Sequence, residues 1–117
     1  MRGHGAEELA AQYLQGQCGY RVIAQNYRCL GGEIDLIAYD GSTLVFVEVK
    51  MRTRGTAMDA WESVDWKKRS RIRAAASHFL AHRPIAESSE VRFDVLLISQ
   101  RGAEVEFQLL QDAFREE

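Results

Sequence analysis

The sequence is poor in cysteine, with only Cys18 and Cys29 among its 117 residues. Their spacing matches no common metal-binding pattern, and two cysteines do not make a disulfide framework. We therefore expect two reduced thiols, which are usual in the cytosol. The chain also has no leading apolar segment as long as a signal peptide or a membrane-spanning helix. These absences predict a cytoplasmic protein without membrane attachment.

The chain also has little net charge, because its 15 basic and 17 acidic residues leave a total of −2. The total therefore does not indicate a nucleic-acid partner. The distribution does, since residues 50–73 contain eight basic residues against three acidic ones. A compact basic stretch is typical of a surface that binds a phosphate backbone, although a solvated helix face would have the same composition.

The sequence contains neither an internal repeat nor a low-complexity segment. Its hydrophobic content of 46% and charged content of 27% are those of an ordinary globular protein. A chain of 117 residues can form one hydrophobic core and leaves little room for a second. We therefore expect a single domain over residues 1–117.

Two apolar runs between residues 31 and 54 contain charged side chains where strands usually have none. The dipeptide Asp40-Gly41 separates the runs and favours a tight turn, since glycine adopts positive φ without steric cost. We predict an antiparallel hairpin in which Asp35, Glu48 and Lys50 share one face. A two-residue loop would place Asp35 opposite Phe46, whereas a four-residue loop would place it opposite Glu48.

In either register the carboxylates of Asp35 and Glu48 can hold one cation, because opposed Cβ atoms are about 4.5 to 5.5 Å apart. A solvent-facing sheet surface with alternating charge is the alternative. However, residues 44–47 are apolar at both parities, which is typical of a strand covered on both faces. A carboxylate and a lysine that continue such a strand are costly unless they are paired or bind a cation. The pattern therefore favours a metal site.

The first predicted helix, over residues 5–15, directs one of its two leading acids towards the sheet. Glu7 is followed at helical spacing by three apolar residues, so it begins the apolar stripe. The positions that follow Glu8 are mostly polar, which places Glu8 in water. Gly16 and Gly19 are expected to end the helix. A favourable acid in the first helical turn is the alternative explanation of Glu7.

The longest predicted helix covers residues 63–82, with Ser63 or Asp65 as its N-cap. Lys68 lies on the apolar stripe of this helix, so its side chain is expected to lean towards the sheet. A lysine that snorkels along the helix surface to water is the alternative. Pro84 marks the end of the helical region.

The remaining segments complete the order of elements. A first strand over residues 20–23 and 26–28 contains a break or bulge, and residues 51–56 form a polar loop. Two final strands cover residues 92–98 and 104–110. This order predicts an α/β fold with a central mixed β-sheet of four or five strands flanked by helices. The fourth strand is expected beside the third and parallel to it, because a helical crossover joins them.

Asp35, twelve intervening residues and Glu48-Val49-Lys50 resemble the D…(D/E)xK core of the PD-(D/E)xK, or restriction-endonuclease-like, nuclease superfamily. A longer string, made of residues 26–28, 32–37 and 45–52, resembles the uncharacterised bacterial YraN-like family. That family is similar in turn to archaeal Holliday-junction resolvases. No proline precedes Asp35, and no downstream Gln-x-x-x-Tyr is present as in RecB-type exonucleases, which argues against that subgroup.

The resemblance implies a restriction-endonuclease-like fold and a Mg²⁺- or Mn²⁺-dependent DNA endonuclease that hydrolyses phosphodiester bonds, with branched or structured DNA as its substrate. It implies that Asp35, Glu48 and Lys50 are catalytic. Glu7 and the Val49 carbonyl would help the two carboxylates to hold the metal, and Glu33 would lie just behind these ligands. The residues expected to hold the nucleic-acid backbone are Arg28, Arg52, Arg54 and Lys68. For Arg28, an ion pair with a carboxylate is equally compatible with the sequence.

Two other classes of function are compatible with the same residues. A nucleic-acid-binding module could retain the basic surface without catalysis. A protein-interaction domain could use the acid and the lysine as a buried structural ion network. The resolvase-like relatives are two-fold dimers, which implies that this protein is a homodimer, although no pattern in this sequence predicts a dimer interface.

Overall fold

The structure is a computed structural model that describes residues 5–53, 55–83 and 90–113. Its elements, in chain order, are helix α1 (Gly5–Gln17), strands β1 (Arg21–Cys29), β2 (Gly32–Asp40) and β3 (Thr43–Arg52), helices α2 (Ala57–Glu62) and α3 (Trp66–Ala81), and strands β4 (Glu90–Arg101) and β5 (Glu104–Leu110). The strands form one sheet in the order β1-β2-β3-β4-β5. The third and fourth strands are parallel and all other neighbours are antiparallel. The predicted mixed sheet flanked by helices, with its parallel pair, is thus confirmed.

Helices α1 and α3 cover opposite faces of the sheet, which is why its central strands are apolar at both parities. On one face, Ala10 and Leu14 of α1 pack with alternate strand residues such as Leu36 and Val47. The opposite face is covered by α3, whose buried side chains pack on the remaining alternate residues; the α3 members of this cluster are Ile72, Ala75, Ala76 and Phe79. None of the helices in the described ranges is long and apolar enough to cross a membrane.

The first helix is longer than predicted. It continues through Gly16 to Gln17, so the expectation that Gly16 ends it is wrong. A Cβ atom at Gly16 would meet nothing within 4 Å, and a helical glycine of this kind costs some stability without stopping the helix. The chain leaves the helical region at Gly19, which has a φ of 74°.

A short helix, α2, occupies residues between the predicted loop and the predicted long helix. It begins with a capping box, in which Thr56 Oγ1 accepts a hydrogen bond from Asp59 N (3.1 Å) and Asp59 Oδ2 accepts one from Thr56 N (2.9 Å). The sequence contains this signal as a threonine followed three residues later by an acid. The long helix therefore begins only at Trp66, with Asp65 as its N-cap. The predicted terminator Pro84 lies outside the described residues.

The first strand contains the expected irregularity. Its register against β2 shifts between Val22 and Ala24, which confirms the predicted bulge. Asn26 also has a positive φ of 53°, which asparagine tolerates better than most residues. Continuing the register from Gln25–Leu36 places Asn26 beside Asp35 of the next strand.

The β2–β3 hairpin has the register predicted for the four-residue loop. Tyr39 pairs with Leu44, and Asp40 also pairs with Thr43, so the turn itself contains only Gly41 and Ser42. The turn thus lies one residue later than the two-residue alternative required. The consequence is that Asp35 and Glu48 occupy opposed positions just beyond the last paired residues of the ladder.

Gly32 allows β2 to approach α3 closely. A Cβ atom at this position would lie 2.7 Å from the backbone nitrogen of Ala75 and still closer to the carbonyl oxygen of Arg71. Only glycine fits such a backbone contact without displacing the helix. Because Glu33 follows directly, this contact also fixes the distance between Glu33 and α3.

We expect Gly32→Ala to lower the free energy of unfolding by about 1 to 3 kcal/mol, because the added methyl group overpacks a backbone contact. Gly16→Ala is the matched control and should raise it by up to about 1 kcal/mol, since the methyl group meets open space in a helix. Urea denaturation of the three proteins measures both effects. Equal effects of the two substitutions would contradict the close contact at Gly32.

Candidate functional site

The hairpin register places two carboxylates side by side at one end of the β2–β3 ladder. Backbone pairing between β2 and β3 stops at Leu36 and Val47. Beyond this pair, the side chain of Asp35 takes the place of a backbone hydrogen-bond acceptor. Its Oδ2 atom accepts a hydrogen bond of 2.8 Å from the backbone N–H of Val49. The carbonyl of Val49 points towards the same neighbouring strand as its N–H, because both groups of a strand residue share a side. Two carboxylates and one carbonyl are thus available at this position.

Two lysines from different elements approach Glu48, which is buried with 6% of its surface exposed. Lys50 lies two residues further along β3 and brings its Nζ to 3.5 Å from Glu48 Oε2. Lys68, in the first turns of α3, brings its Nζ to 3.7 Å from the same oxygen. Lys68 therefore points towards the sheet, as the spacing of its helix predicts. The result is a buried acid contacted by two partly exposed cations.

Glu33 joins this cluster to a group of arginines. Its Oε2 accepts a hydrogen bond of 3.1 Å from Lys68 Nζ, and its Oε1 lies 3.6 Å from Arg28 and 4.0 Å from Arg71. The hydrogen bond from Lys68 holds the pKa of the Glu33 carboxyl below its usual value. Arg28 thus pairs with a carboxylate in this structure. Its side chain is largely exposed, so this pair contributes little stability.

Glu48 has the most perturbed acid–base equilibrium in the cluster. Burial, and secondly the negative charge of Asp35, raise its pKa to about 7, although Lys68 and Lys50 act in the opposite direction. The two lysines therefore do not compensate the carboxylate fully. A further positive charge next to Glu48 and Asp35 would be favourable.

Glu7 is not brought into this cluster by any contact in the structure. It is half-buried on α1, whose apolar residues pack on the face of the sheet opposite α3, while Glu8 is exposed as predicted. Within the part of the chain that the structure describes, no hydrogen bond or ion pair joins Glu7 to Asp35, Glu48 or Lys50. In the same ranges, no three His, Cys, Asp or Glu side chains are grouped so as to hold a metal. The role expected for Glu7 stays a prediction.

One further basic candidate, Arg52, lies where β3 ends. Arg52 is exposed and donates a hydrogen bond of 2.6 Å to Ser63 Oγ, just before α3. Arg54 lies outside the described residues. Arg71 of α3, which sequence reasoning did not single out, is a further exposed cation 4.0 Å from Glu33. Its spacing of three residues from Lys68 was the available signal, because side chains three apart are neighbours on a helix.

The fold and the cluster together define a mixed α/β protein with a buried acid–lysine group between a hairpin and a covering helix. Residues 6–98 match the model of the family described as "Uncharacterised protein family UPF0102". The chain belongs to this family, which confirms the resemblance to YraN-like proteins.

Individual relatives match along nearly the whole chain. The UPF0102 protein of Nitrosococcus oceani is 44% identical over 117 residues, which cover 99% of this chain and 93% of the relative. That of Methylobacillus flagellatus is 46% identical over 112 residues, or 96% and 95% of the two chains. That of Halorhodospira halophila is 47% identical over 116 residues, or 99% and 88%.

The raised pKa of Glu48 predicts a pH-dependent stability. Because the folded-state pKa exceeds the ordinary value of 4.5, this group's contribution is fully present below pH 4.5 and is lost as the pH rises to about 7. We expect the loss to be about 1 to 3 kcal/mol, and we expect Glu48→Gln to abolish it. Urea denaturation between pH 4.5 and 8 measures the slope, with the exposed Glu62→Gln as control. A slope that persists unchanged in Glu48→Gln would show that the charge of Glu48 is not buried.

Proposed function

We propose that this protein is a Mg²⁺- or Mn²⁺-dependent DNA endonuclease of the restriction-endonuclease-like type, which hydrolyses phosphodiester bonds in branched or structured DNA. The observation that supports this most is the arrangement of Asp35, Glu48 and Lys50. Two opposed carboxylates, one of them buried, lie beside a lysine whose Nζ is 3.5 Å from Glu48. This is the set of groups that the D…(D/E)xK resemblance assigns to catalysis.

The donor set fits Mg²⁺. Asp35, Glu48 and the Val49 carbonyl offer hard oxygen ligands, and Mg²⁺ commonly takes only one or two carboxylates while keeping water and substrate phosphate. A third acidic ligand such as Glu7 is therefore not required. The raised pKa of Glu48 also supports the fit, because a cation would offset the repulsion between the two carboxylates.

In the proposed reaction, water attacks the scissile phosphate and the leaving sugar oxygen takes up a proton. When bound, Mg²⁺ would supply Lewis-acid polarisation of the phosphate and of the water. Lys50 would orient the water or neutralise the negative charge that develops on the phosphate. Lys68 would contact the same phosphate from the side of α3, and Glu33, at 3.1 Å, would hold Lys68 in position.

The distances allow the lysines to take these roles. A tight charge-assisted hydrogen bond has a length of about 2.7 to 2.9 Å. The separations of 3.5 and 3.7 Å from Glu48 are longer, so neither Lys50 nor Lys68 is held firmly by that carboxylate. Both side chains are also partly exposed, which lets them turn towards a phosphate oxygen.

The surroundings of the cluster suit a nucleic-acid backbone. Arg28 and Arg71 are exposed cations beside Glu33, and Arg52 is exposed at the end of β3, where it contacts Ser63. Each could neutralise a phosphate and release a counterion, which would make binding strongly salt-dependent. That Arg54 also holds the nucleic-acid backbone stays a prediction. A two-fold dimer would suit paired cuts in a branched substrate and is part of the same proposal.

A structural ion network is the second candidate, and one observation favours it. Lys50 and Lys68 both contact Glu48 Oε2, so the buried acid has partners without a metal. On this interpretation the cluster stabilises the contact between α3 and the hairpin, and the protein acts by binding a partner. Salt-dependent DNA binding without cleavage would indicate a non-catalytic nucleic-acid module, whereas no DNA affinity at low salt would indicate a protein-interaction domain.

We expect the protein to cleave at least one member of a panel of duplex, single-stranded, flap and four-way DNAs in Mg²⁺ or Mn²⁺. Asp35→Asn and Lys50→Ala should each lower the initial rate by on the order of 100-fold or more, because each removes charge stabilisation at the reacting phosphate. Glu62→Gln, an exposed acid on α2, is the control and should cleave normally. Absence of product from every DNA with the unaltered protein would move the assignment to the binding module.

Glu48→Gln separates a metal ligand from a structural ion pair. If Glu48 binds Mg²⁺, the substitution should lower Mg²⁺ affinity and cleavage, while DNA affinity without metal holds or rises because a negative charge is removed. Thermal stability at pH 7 should hold or rise, since the substitution removes a poorly compensated buried charge and both lysines keep contact with water. If the network is structural, the variant should instead lose about 3 to 5 kcal/mol. Calorimetric Mg²⁺ titration and thermal melts of both proteins decide between them.

A further inference from the structure

The ammonium group of Lys68 lies among three carboxylates of the candidate site. Its Nζ atom is 3.7 Å from Glu48 Oε2 and donates a hydrogen bond of 3.1 Å to Glu33 Oε2. Burial lowers the pKa of Lys68, but the charges of Glu48, Glu33 and Asp35 together raise it above its usual value. In the metal-free protein, a positive charge from α3 therefore acts on the same two carboxylates, Asp35 and Glu48, that would hold Mg²⁺.

Lys50 approaches the same oxygen atom but differs from Lys68 in two respects. Burial raises the pKa of Glu48 most, and of the two lysines that oppose burial, Lys68 has the larger effect. Lys68 also has a second carboxylate, because Glu33 lies closer to its Nζ than Glu48 does. Within the described ranges, the ion pair of Lys50 is with Glu48 alone. Lys68 can thus move away from Glu48 without losing a charged partner.

A magnesium ion on Glu48 would compete with this ammonium group. Mg²⁺ binds its oxygen ligands at about 2.1 Å. Because Lys68 Nζ is 3.7 Å from Glu48 Oε2, an ion on that oxygen would lie at most about 6 Å from the ammonium nitrogen. Like charges at this separation repel, and the repulsion is larger in a partly buried site than in bulk water. Metal binding is therefore weakened unless the ammonium group moves away.

A phosphate would help Lys68 to make this movement. Glu33 Oε1 lies 3.6 Å from Arg28 and 4.0 Å from Arg71, and the side chains of both arginines are at least half exposed. Arginine and lysine form strong charge-assisted hydrogen bonds with phosphate oxygens. A bound phosphate would draw the arginines from Glu33, which would leave this carboxylate to Lys68, and it would also attract Lys68 directly. Substrate binding would thus reduce the positive charge at Glu48.

We propose that Lys68 is the counter-cation of Glu48 in the metal-free protein, that Mg²⁺ displaces it, and that a bound phosphate promotes the displacement. This inference rests on the proposed function for the metal and the substrate, and it adds how loading of the site is regulated. Mg²⁺ binds weakly to the protein alone and more tightly to its complex with nucleic acid. By linkage, Mg²⁺ tightens nucleic-acid binding by the same factor.

Calorimetric titration with Mg²⁺, without nucleic acid and in alkaline buffer that keeps Glu48 deprotonated, tests the competition. Lys68→Met should bind Mg²⁺ on the order of 10-fold more tightly than the unaltered protein, which is a usual scale for coupling between two sites. Lys68→Gln, a second neutral variant that can still donate to Glu33, should do the same. Lys68→Arg keeps the charge and should bind as weakly as the unaltered protein. So should Lys67→Met, the matched control, which removes the same charge from an exposed neighbouring side chain.

The coupling to nucleic acid is measured in a Lys50→Met background, in which cleavage is expected to be slow while both carboxylates remain. Labelled four-way DNA is titrated with Lys50→Met and with the double variant Lys50→Met/Lys68→Met, each in Mg²⁺ and in EDTA, using fluorescence anisotropy. Mg²⁺ should tighten DNA binding by a larger factor in Lys50→Met, because only this protein has Lys68 to displace. Equal factors in the two proteins would contradict a role of Lys68 in the coupling.

The Mg²⁺ affinities separate this inference from the endonuclease proposal. Equal Mg²⁺ affinity of the unaltered protein and Lys68→Met would overturn the inference and leave the endonuclease proposal standing. An equal rise in Lys68→Met and Lys67→Met would also overturn it, because net charge and not position would then set the affinity. Tighter binding by Lys68→Met alone, with no DNA cleaved by the unaltered protein, supports the counter-cation while the endonuclease proposal fails. If neither protein binds Mg²⁺ at millimolar concentration, both proposals are overturned.

Discussion

The incomplete charge compensation of Glu48 is the constraint on which the site depends. A carboxylate removed from water needs hydrogen bonds or opposite charge, and Glu48 has a like-charged neighbour with two lysines at the limit of ion-pair distance. Its position follows from the hairpin register, and that of Lys68 follows from the docking of α3 on Gly32. Strand pairing and helix packing thus together determine which groups surround one carboxylate oxygen, Glu48 Oε2.

The other buried acid of the sheet shows what full compensation looks like. Asp94 accepts four hydrogen bonds, from the Tyr20 hydroxyl at 2.8 Å, from Arg92 Nε at 2.9 Å and Nη2 at 3.0 Å, and from Asp112 N at 3.0 Å. Arg92 also bonds Asp40, so this network joins β1's start, the end of β2 and β4. Asp94 has no capacity left for a ligand, whereas Glu48 has. This difference in hydrogen bonding, and not burial as such, separates a structural acid from a candidate ligand.

The sequence predicts those features of the site that follow from periodicity. The period of two puts Asp35, Glu48 and Lys50 on one face, and the period of 3.6 directs Lys68 at the sheet. The period of two does not choose between the two turns, and the structure has the register of the four-residue loop, with Gly41 and Ser42 in the turn. Helix α2 was missed because six residues are too few to show a period. The contacts of Glu33 with α3 depend on how two distant segments dock, which local pattern does not specify.

Because β3 pairs with β4 in parallel, the two parts of the site form at different stages of folding. Asp35 and Glu48 are joined by a short hairpin, which closes on a timescale of about 1 to 10 μs in isolated hairpins. Lys68 belongs to the long connection between β3 and β4, whose ends meet only when a non-local parallel pair forms. Contacts between residues far apart in the sequence form slowly, because the chain loses conformational entropy before these contacts stabilise it. The nascent hairpin therefore exposes its paired acids to water and to cations before the helix that carries Lys68 covers them.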